Sequence, residues 1–177
     1  MSPIPDIEKK SPKEIKLFQE KKLKELLNYV AANSVYYKNL FKTHSIDINS
    51  INAIEDLNQI PVTTKDDLYK FNKDFICVGP NKIIDYVTTS GTLGDPLTFA
   101  LTNNDLERLA HNENISLACT GATNNDVFQL MTTLDRRFMA GLAYFLGIKQ
   151  MGAGVIRVGN GVPEFQWDTV ARLKPTI

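Results

Sequence analysis

"KIIDYVTTSGTLGDPLTFAL", Lys82–Leu101, is the stretch whose reading decides the fold. The β-branched and aromatic run predicts a strand over Ile83–Thr89, and "LTFAL" predicts a second over Leu97–Leu101. Between them "TTSGTLGDP", Thr88–Pro96, holds four hydroxyl residues and two glycines, with no lysine or arginine. Such a loop can converge backbone N–H groups on one anion, with the hydroxyls adding short donors. The pattern GxxxxGK[ST] is absent, because Asp95 follows Gly94. A polar connection turned by Gly94-Asp95-Pro96 explains the same residues, and the loop alone leaves both readings open.

Outward from the loop, helices and strands alternate. "TNNDLERLAHNENISLACTG" predicts a capped helix ended by Gly121, "DVFQLMT" a buried strand, and "RRFMAGLAYFLGIKQMG" a helix whose Gly141 and Gly147 allow close packing. "AGVIRVG" predicts a strand and "FQWDTVARL" a short helix, with Trp167 expected in a core or an interface. This alternation predicts an α/β fold with a mixed, largely parallel sheet and flanking helices. Pro175 closes the last helix, and Thr176-Ile177 is expected to open another strand, so a partial chain is expected.

The N-terminal side reads differently. Ser11, Pro12 and Glu14 form a helix-start signature ahead of Ile15, Phe18, Leu23, Leu26, Leu27 and Val30 at helical spacing. "SVYYKNLF" predicts a short helix with Tyr36, Tyr37, Leu40 and Phe41 inward, its tyrosines serving packing. Thr64 with Asp67 predicts a helix from Lys65, with Asp66 and Asp67 in its first turn rather than in carboxylate chemistry. The expected division is a helical segment over 1–80 and an α/β segment over 81–177.

Composition narrows the class. The 177 residues carry 20 Lys+Arg and 20 Asp+Glu, so the net charge is zero and no positive field calls for nucleic acid or a membrane surface. The longest apolar run, "FMAGLAYFLGI", is too short to span a bilayer. Cys77 and Cys119 lie outside any CxxC pairing, which points to a reducing, cytoplasmic setting. His44 and His111 have no Cys, Asp or Glu at metal-ligand spacing, and surface or cap roles are expected.

Five segments, in order, carry a resemblance. "TTSGTLGDP" is similar to the TSG[ST]TGxP motif of adenylate-forming acid ligases. "NSVYYKNLF", "DLNQIPVTTKDDL", "FMAGLAYFLGIKQMGAG" and "ARLKPTI" resemble segments of the phenylacetate–coenzyme A ligase family, N-terminal portion. The resemblance implies that a carboxylic acid attacks the α-phosphate of ATP and that coenzyme A thiol then takes the acyl group. It implies that Thr89, Ser90, Gly91, Thr92 and Gly94 bind the ATP phosphates, where pre-aligned donors stabilise the leaving pyrophosphate. Leu93 departs from the family's hydroxyl run, and Asp95 takes its variable position. The family's Mg²⁺ and ribose ligands, hinge and catalytic lysine match no position here. This chain alone is therefore expected not to form acyl-adenylates.

The resemblance also places the segment holding Arg136, Arg137, Phe138 and Gly141 toward the acid substrate. Either an arginine there meets a substrate or coenzyme A anion, or Asp135 pairs with one arginine at a helix start while the other faces water. Two other outcomes stay open: a non-catalytic module that self-associates into a homo-oligomer, and acyl activation with a protein thiol as acceptor. The loop from Thr89 to Asp95 is expected to be mobile without nucleotide.

Overall fold

The computed structural model describes residues 5–89 and 96–177. The chain forms two compact units, one within residues 5–80 and one over Asn81–Ile177.

In the first unit, α1 (Pro12–Asn33) starts on the predicted capping box: the Glu14 amide donates to Ser11 Oγ and the Ser11 amide to Glu14 Oε2. Ser34 then ends α1 and caps α2 (Val35–Thr43), accepting from the Tyr37 amide at 3.2 Å while donating to the Asp74 carbonyl at 2.9 Å. Because its hydroxyl has partners on both sides, Ser34 sits fully buried at little cost. Leu27, Phe41 and Ile51 form the core, with Leu23, Val30, Leu40 and Ile60 packed around them. Tyr36 stacks on Phe75 with ring centroids 4.0 Å apart and meets Tyr37 edge-on, so both tyrosines pack as expected. Burial is the main cause that pushes the Tyr36 phenol above its ordinary pKa, with the nearby Asp67 carboxylate adding to it. Phe18 and Leu26 are corrections: both are exposed, because the apolar stripe of α1 is wider than the surface that covers it. Thr64 and Asp67 cap α3 (Lys65–Lys70) reciprocally. The hydrogen bonds from Thr64 hold the Asp67 carboxyl below the usual range.

The second unit is α/β. β1 (Ile83–Thr88) and β2 (Thr98–Thr102) pair antiparallel, Val87 facing Phe99 and Thr88 facing Thr98. Thr102 then caps α4 (Asn103–Ala118) through a box with Asp105. β3 (Val127–Leu130) pairs with β4 (Gly154–Arg157) in parallel, joined by α5 (Met139–Met151), the arrangement that alternation predicted. Among the described residues the strands form two separate two-stranded sheets, one antiparallel and one parallel. α6 (Pro163–Leu173) follows, and Lys174 leaves it in the left-handed region.

The end of the chain adds to the parallel sheet. The Gln129 amide donates to the Ile177 carbonyl at 2.8 Å, and the Thr176 amide to the Val127 carbonyl at 2.8 Å. Thr176 Oγ1 accepts from the Val127 amide and donates to Asp126, each at 2.9 Å. Thr176-Ile177 thus makes strand-type bonds on the side of β3 away from β4, as the sequence predicts.

Two glycines fix the helix positions. A Cβ on Gly147 would lie 2.5 Å from the Glu113 Cβ, so α4 and α5 approach backbone to backbone. A Cβ on Gly141 would lie 1.8 Å from the Thr133 carbonyl oxygen, which no side chain tolerates. Trp167 is 71% exposed, which corrects the expectation of a core position: it lies on α6 away from the buried Thr169.

Candidate functional site

β1 ends where the hydroxyl- and glycine-rich loop begins. Thr89 closes the mouth of the hairpin twice. Its amide donates to the Leu97 carbonyl at 3.0 Å, and its Oγ1 accepts from the Leu97 amide at 3.0 Å. The threonine hydrogen is used in neither of these bonds. Ser90, Gly91, Thr92 and Gly94, with Leu93 and Asp95, lie outside the described residues, as does the expected mobility of the loop. Leu97 is buried beneath this mouth, and Val87 is buried in β1.

A second segment meets the same strand end. The Thr88 amide donates to the Arg137 carbonyl at 3.0 Å. Arg136 and Arg137 therefore lie beside the last residue of β1, although about fifty positions separate them in the chain. Both arginines are in the left-handed region, at φ 57 and φ 59. The turn is closed by its own backbone, since the Phe138 amide donates to the Asp135 carbonyl at 3.1 Å. Thr133 Oγ1 hydrogen-bonds the Asp135 carboxylate. Gly141, in the first turn of α5, lets that helix sit against the Thr133 carbonyl.

One main-chain bond thus sets the Arg136–Arg137 turn beside Thr88, while Gly141 lies against Thr133. Sequence reading assigned Arg136 and Arg137 to a helix start. They instead form a left-handed turn ahead of α5, whose first turn follows Phe138. Asp135 reaches Arg136 at 4.0 Å with both side chains exposed, an ion pair worth little. Arg137 makes no ion pair among the described residues. Sequence reasoning missed Thr88 and Leu97 as positioning groups, and no local signal marks a strand-to-turn hydrogen bond.

The first unit holds a different kind of cavity. A groove of about 320 Å³ opens between α1, α2 and the Leu57–Thr63 segment. It is lined by Leu23, Leu26, Val30 and Phe41, with the Tyr37 and Thr63 hydroxyls 3.2 Å apart as its polar point. Its lining is mostly apolar and holds no cationic side chain.

Metal and thiol chemistry find little support elsewhere. Among the described residues no group of three or more His, Cys, Asp or Glu could hold a metal ion. Cys77 is half-buried with its thiol pushed up by burial, which disfavours the nucleophilic thiolate, and Cys119 is exposed. His44 is the C-cap of α2, as a cap role predicts. Among the described residues no helix is long and apolar enough to cross a membrane.

Comparison with known proteins follows the same lines. No family model matches the chain. The chain is 28% identical over 176 residues to the phenylacetate-coenzyme A ligase of Thermus thermophilus, covering 98% of this chain and 39% of that protein. It is 28% identical over 172 residues to the phenylacetate-coenzyme A ligase of Escherichia coli, covering 96% of this chain and 39% of that protein. A solved structure of 2-hydroxyisobutyryl-CoA ligase in complex with 2-HIB-AMP and CoA superposes with a TM-score of 0.82 at 20% identity. That match covers 93% of this chain and 36% of the solved one, and it establishes the fold. The chain thus spans about two-fifths of the length of the relatives it matches. Over nearly its whole length it is similar to phenylacetate-coenzyme A ligases, and it shares its fold with part of a solved CoA ligase.

Proposed function

We propose that this chain is the N-terminal part of an ATP-dependent, AMP-forming carboxylic acid–coenzyme A ligase and that it carries the phosphate-binding loop. The observation that carries the reading is the similarity to phenylacetate–coenzyme A ligases over nearly the whole of this chain, with "TTSGTLGDP" connecting two paired strands. In this reading Thr89, Ser90, Gly91, Thr92 and Gly94 hold the ATP phosphates. Phe138 and Gly141 border the acid, and residues 81–177 are the first part of the AMP-binding domain.

Thr89 fits the role physically. Its hydroxyl is held in place by the Leu97 amide, in a bond that does not use the hydroxyl hydrogen. ATP supplies the leaving pyrophosphate that makes acyl transfer to coenzyme A favourable. The chain's own part is to present fixed donors where negative charge grows. Mg²⁺ ligands are assigned to no described residue. A cytoplasmic setting belongs to the same reading and is supported by the free Cys77 and Cys119. So does self-association, for which the exposed Phe165, Trp167 and Leu173 of α6 supply apolar surface.

The test is a chimaera in which residues 1–177 replace the matching portion of the Escherichia coli phenylacetate-coenzyme A ligase. Acid-dependent exchange of pyrophosphate into ATP is expected, and Thr89→Ala combined with Ser90→Ala should lower it about 100-fold. A folded chimaera without exchange, or one indifferent to the double substitution, contradicts the proposal.

A further inference from the structure

We infer that Arg136 and Arg137 form an oxyanion-reading pair at the end of β1. The pair sets a preference for ligands that bring a carboxylate or phosphate group to that point. The inference rests on the ligase reading above and adds a specificity element to it.

Backbone conformation is the first observation. Both arginines adopt positive φ, at 57 and 59. Residues with a Cβ are disfavoured there and glycine is not. Of the four described non-glycine residues with positive φ, these two alone are consecutive. What the turn does for the fold needs no arginine. Its two fixing bonds, Thr88 amide to Arg137 carbonyl and Phe138 amide to Asp135 carbonyl, are main chain to main chain. Glycine at both positions would keep those bonds with less strain. The sequence therefore holds two guanidinium groups where the backbone favours their absence, and strain of this kind points to a use for the side chains.

Charge balance is the second. Among the described residues Asp135 is the acidic group paired with Arg136, at 4.0 Å with both side chains exposed. The first turn of α5 contains no acidic residue, whereas Glu14, Asp67 and Asp105 occupy that place in α1, α3 and α4. Arg137 has no ion-pair partner among the described residues. Two exposed guanidinium groups thus stand on a turn whose main chain meets Thr88, in a chain whose net charge is zero. A planar guanidinium fork matches carboxylate and phosphate alike.

The experiment titrates residues 1–177 with phenylacetate, 1,4-phenylenediacetate and inorganic pyrophosphate, following the Thr88, Thr89 and Arg137 amides by NMR. Three proteins are compared: the parent, the double variant Arg136→Gly with Arg137→Gly, and Arg137→Lys. The parent should bind the di-acid about fivefold tighter than the mono-acid, or bind pyrophosphate about fivefold tighter than the glycine variant does. A di-acid preference assigns the oxyanion to the acid substrate, and a pyrophosphate effect alone assigns it to a phosphate. The glycine variant should lose the effect while its Tm holds or rises, and Arg137→Lys should keep only part of it. If the glycine variant retains the preference, or melts several degrees lower, the pair is not an oxyanion reader. Equal mono-acid binding in all three proteins, with no di-acid or pyrophosphate effect, overturns this inference and leaves the ligase reading standing. No response of Thr88 and Thr89 to any of the three probes overturns both.

Discussion

Residues 5–80 start each of their α-helices on a side-chain cap: Ser11 for α1, Ser34 for α2 and Thr64 for α3. Residues 81–177 do so once, at Thr102, while α5 and α6 begin without a side-chain cap. The α/β unit relies on close backbone approach instead, at Gly141 against Thr133 and at Gly147 against Glu113. The first unit is organised by local rules and an aromatic core. The second is organised by contacts between segments distant in sequence, and those contacts bring the candidate site together.

The comparison predicts where each unit is fragile. Phe41→Ala should produce the largest effect, because Phe41 is 7% exposed and packs with Leu27 and Ile51. A loss of about 3–5 kcal/mol is expected in denaturant unfolding. Hydrogen exchange should quicken through α1 and α2, and exchange left unchanged there would break the assignment of Phe41 to that core.

Gly141→Ala tests the other unit. The added methyl would meet a backbone carbonyl at 1.8 Å, and a carbonyl held by its own segment cannot step aside as a side chain would. A loss of about 2–3 kcal/mol is expected, with displaced Thr88 and Arg137 amide signals in NMR. Full stability with an undisturbed Thr88 signal would show that α5 does not position the site.

Ser34→Ala is the smaller counterpart in the helical unit. It removes the cap on the Tyr37 amide and leaves the buried Asp74 carbonyl without its donor. About 1–2 kcal/mol should be lost in thermal unfolding. Ser34→Thr should recover part of it if the hydroxyl is what matters.

Acid should sharpen the contrast by the least per group. Hydrogen bonds from Ser11 hold Glu14 below its ordinary pKa, amide bonds from Ala53 and Asn52 do so for Asp56, and bonds from Thr64 do so for Asp67. In the α/β unit Asp126 is lowered by the Thr123 amide and then by Thr176. A carboxyl whose folded pKa is depressed stabilises the fold above its unfolded value and loses that contribution as pH falls through the folded value. Stability should therefore be flat near neutrality and decline below about pH 4. The decline should be steeper in the first unit, where Glu14, Glu25, Glu55, Asp56 and Asp67 are all lowered, than in the α/β unit, where Asp126 is. Unit-resolved NMR melts at pH 3 and pH 7 measure it, and a steeper loss in the α/β unit would reverse the expectation.

How far the sequence alone carries follows the same division. Ser11-Pro12-Glu14 and Thr64-Asp67 announce α1 and α3 because capping is written within four residues. β1, β2 and the parallel β3–α5–β4 unit are legible because periodicity changes at glycine and proline. Phe18 and Leu26 misled, since an apolar residue at helical spacing says nothing about what covers it, and of the two places expected for Trp167 the core is excluded. Of the site, the hydroxyl-rich loop and the arginine segment were each visible. Their meeting at the Thr88 amide was not, because a main-chain hydrogen bond carries no residue signature. Neither was the left-handed turn at Arg136 and Arg137, since arginine is not a residue that marks it.

The central claim is that the end of β1 binds phosphate. It is tested most directly by titrating magnesium pyrophosphate into this chain and recording amide shifts residue by residue. The account predicts saturable shifts at Thr88, Thr89 and Leu97, lost on Thr89→Ala, with the Leu23–Phe41 groove unmoved. Shifts confined to the groove, or none at the β1 end, would contradict it.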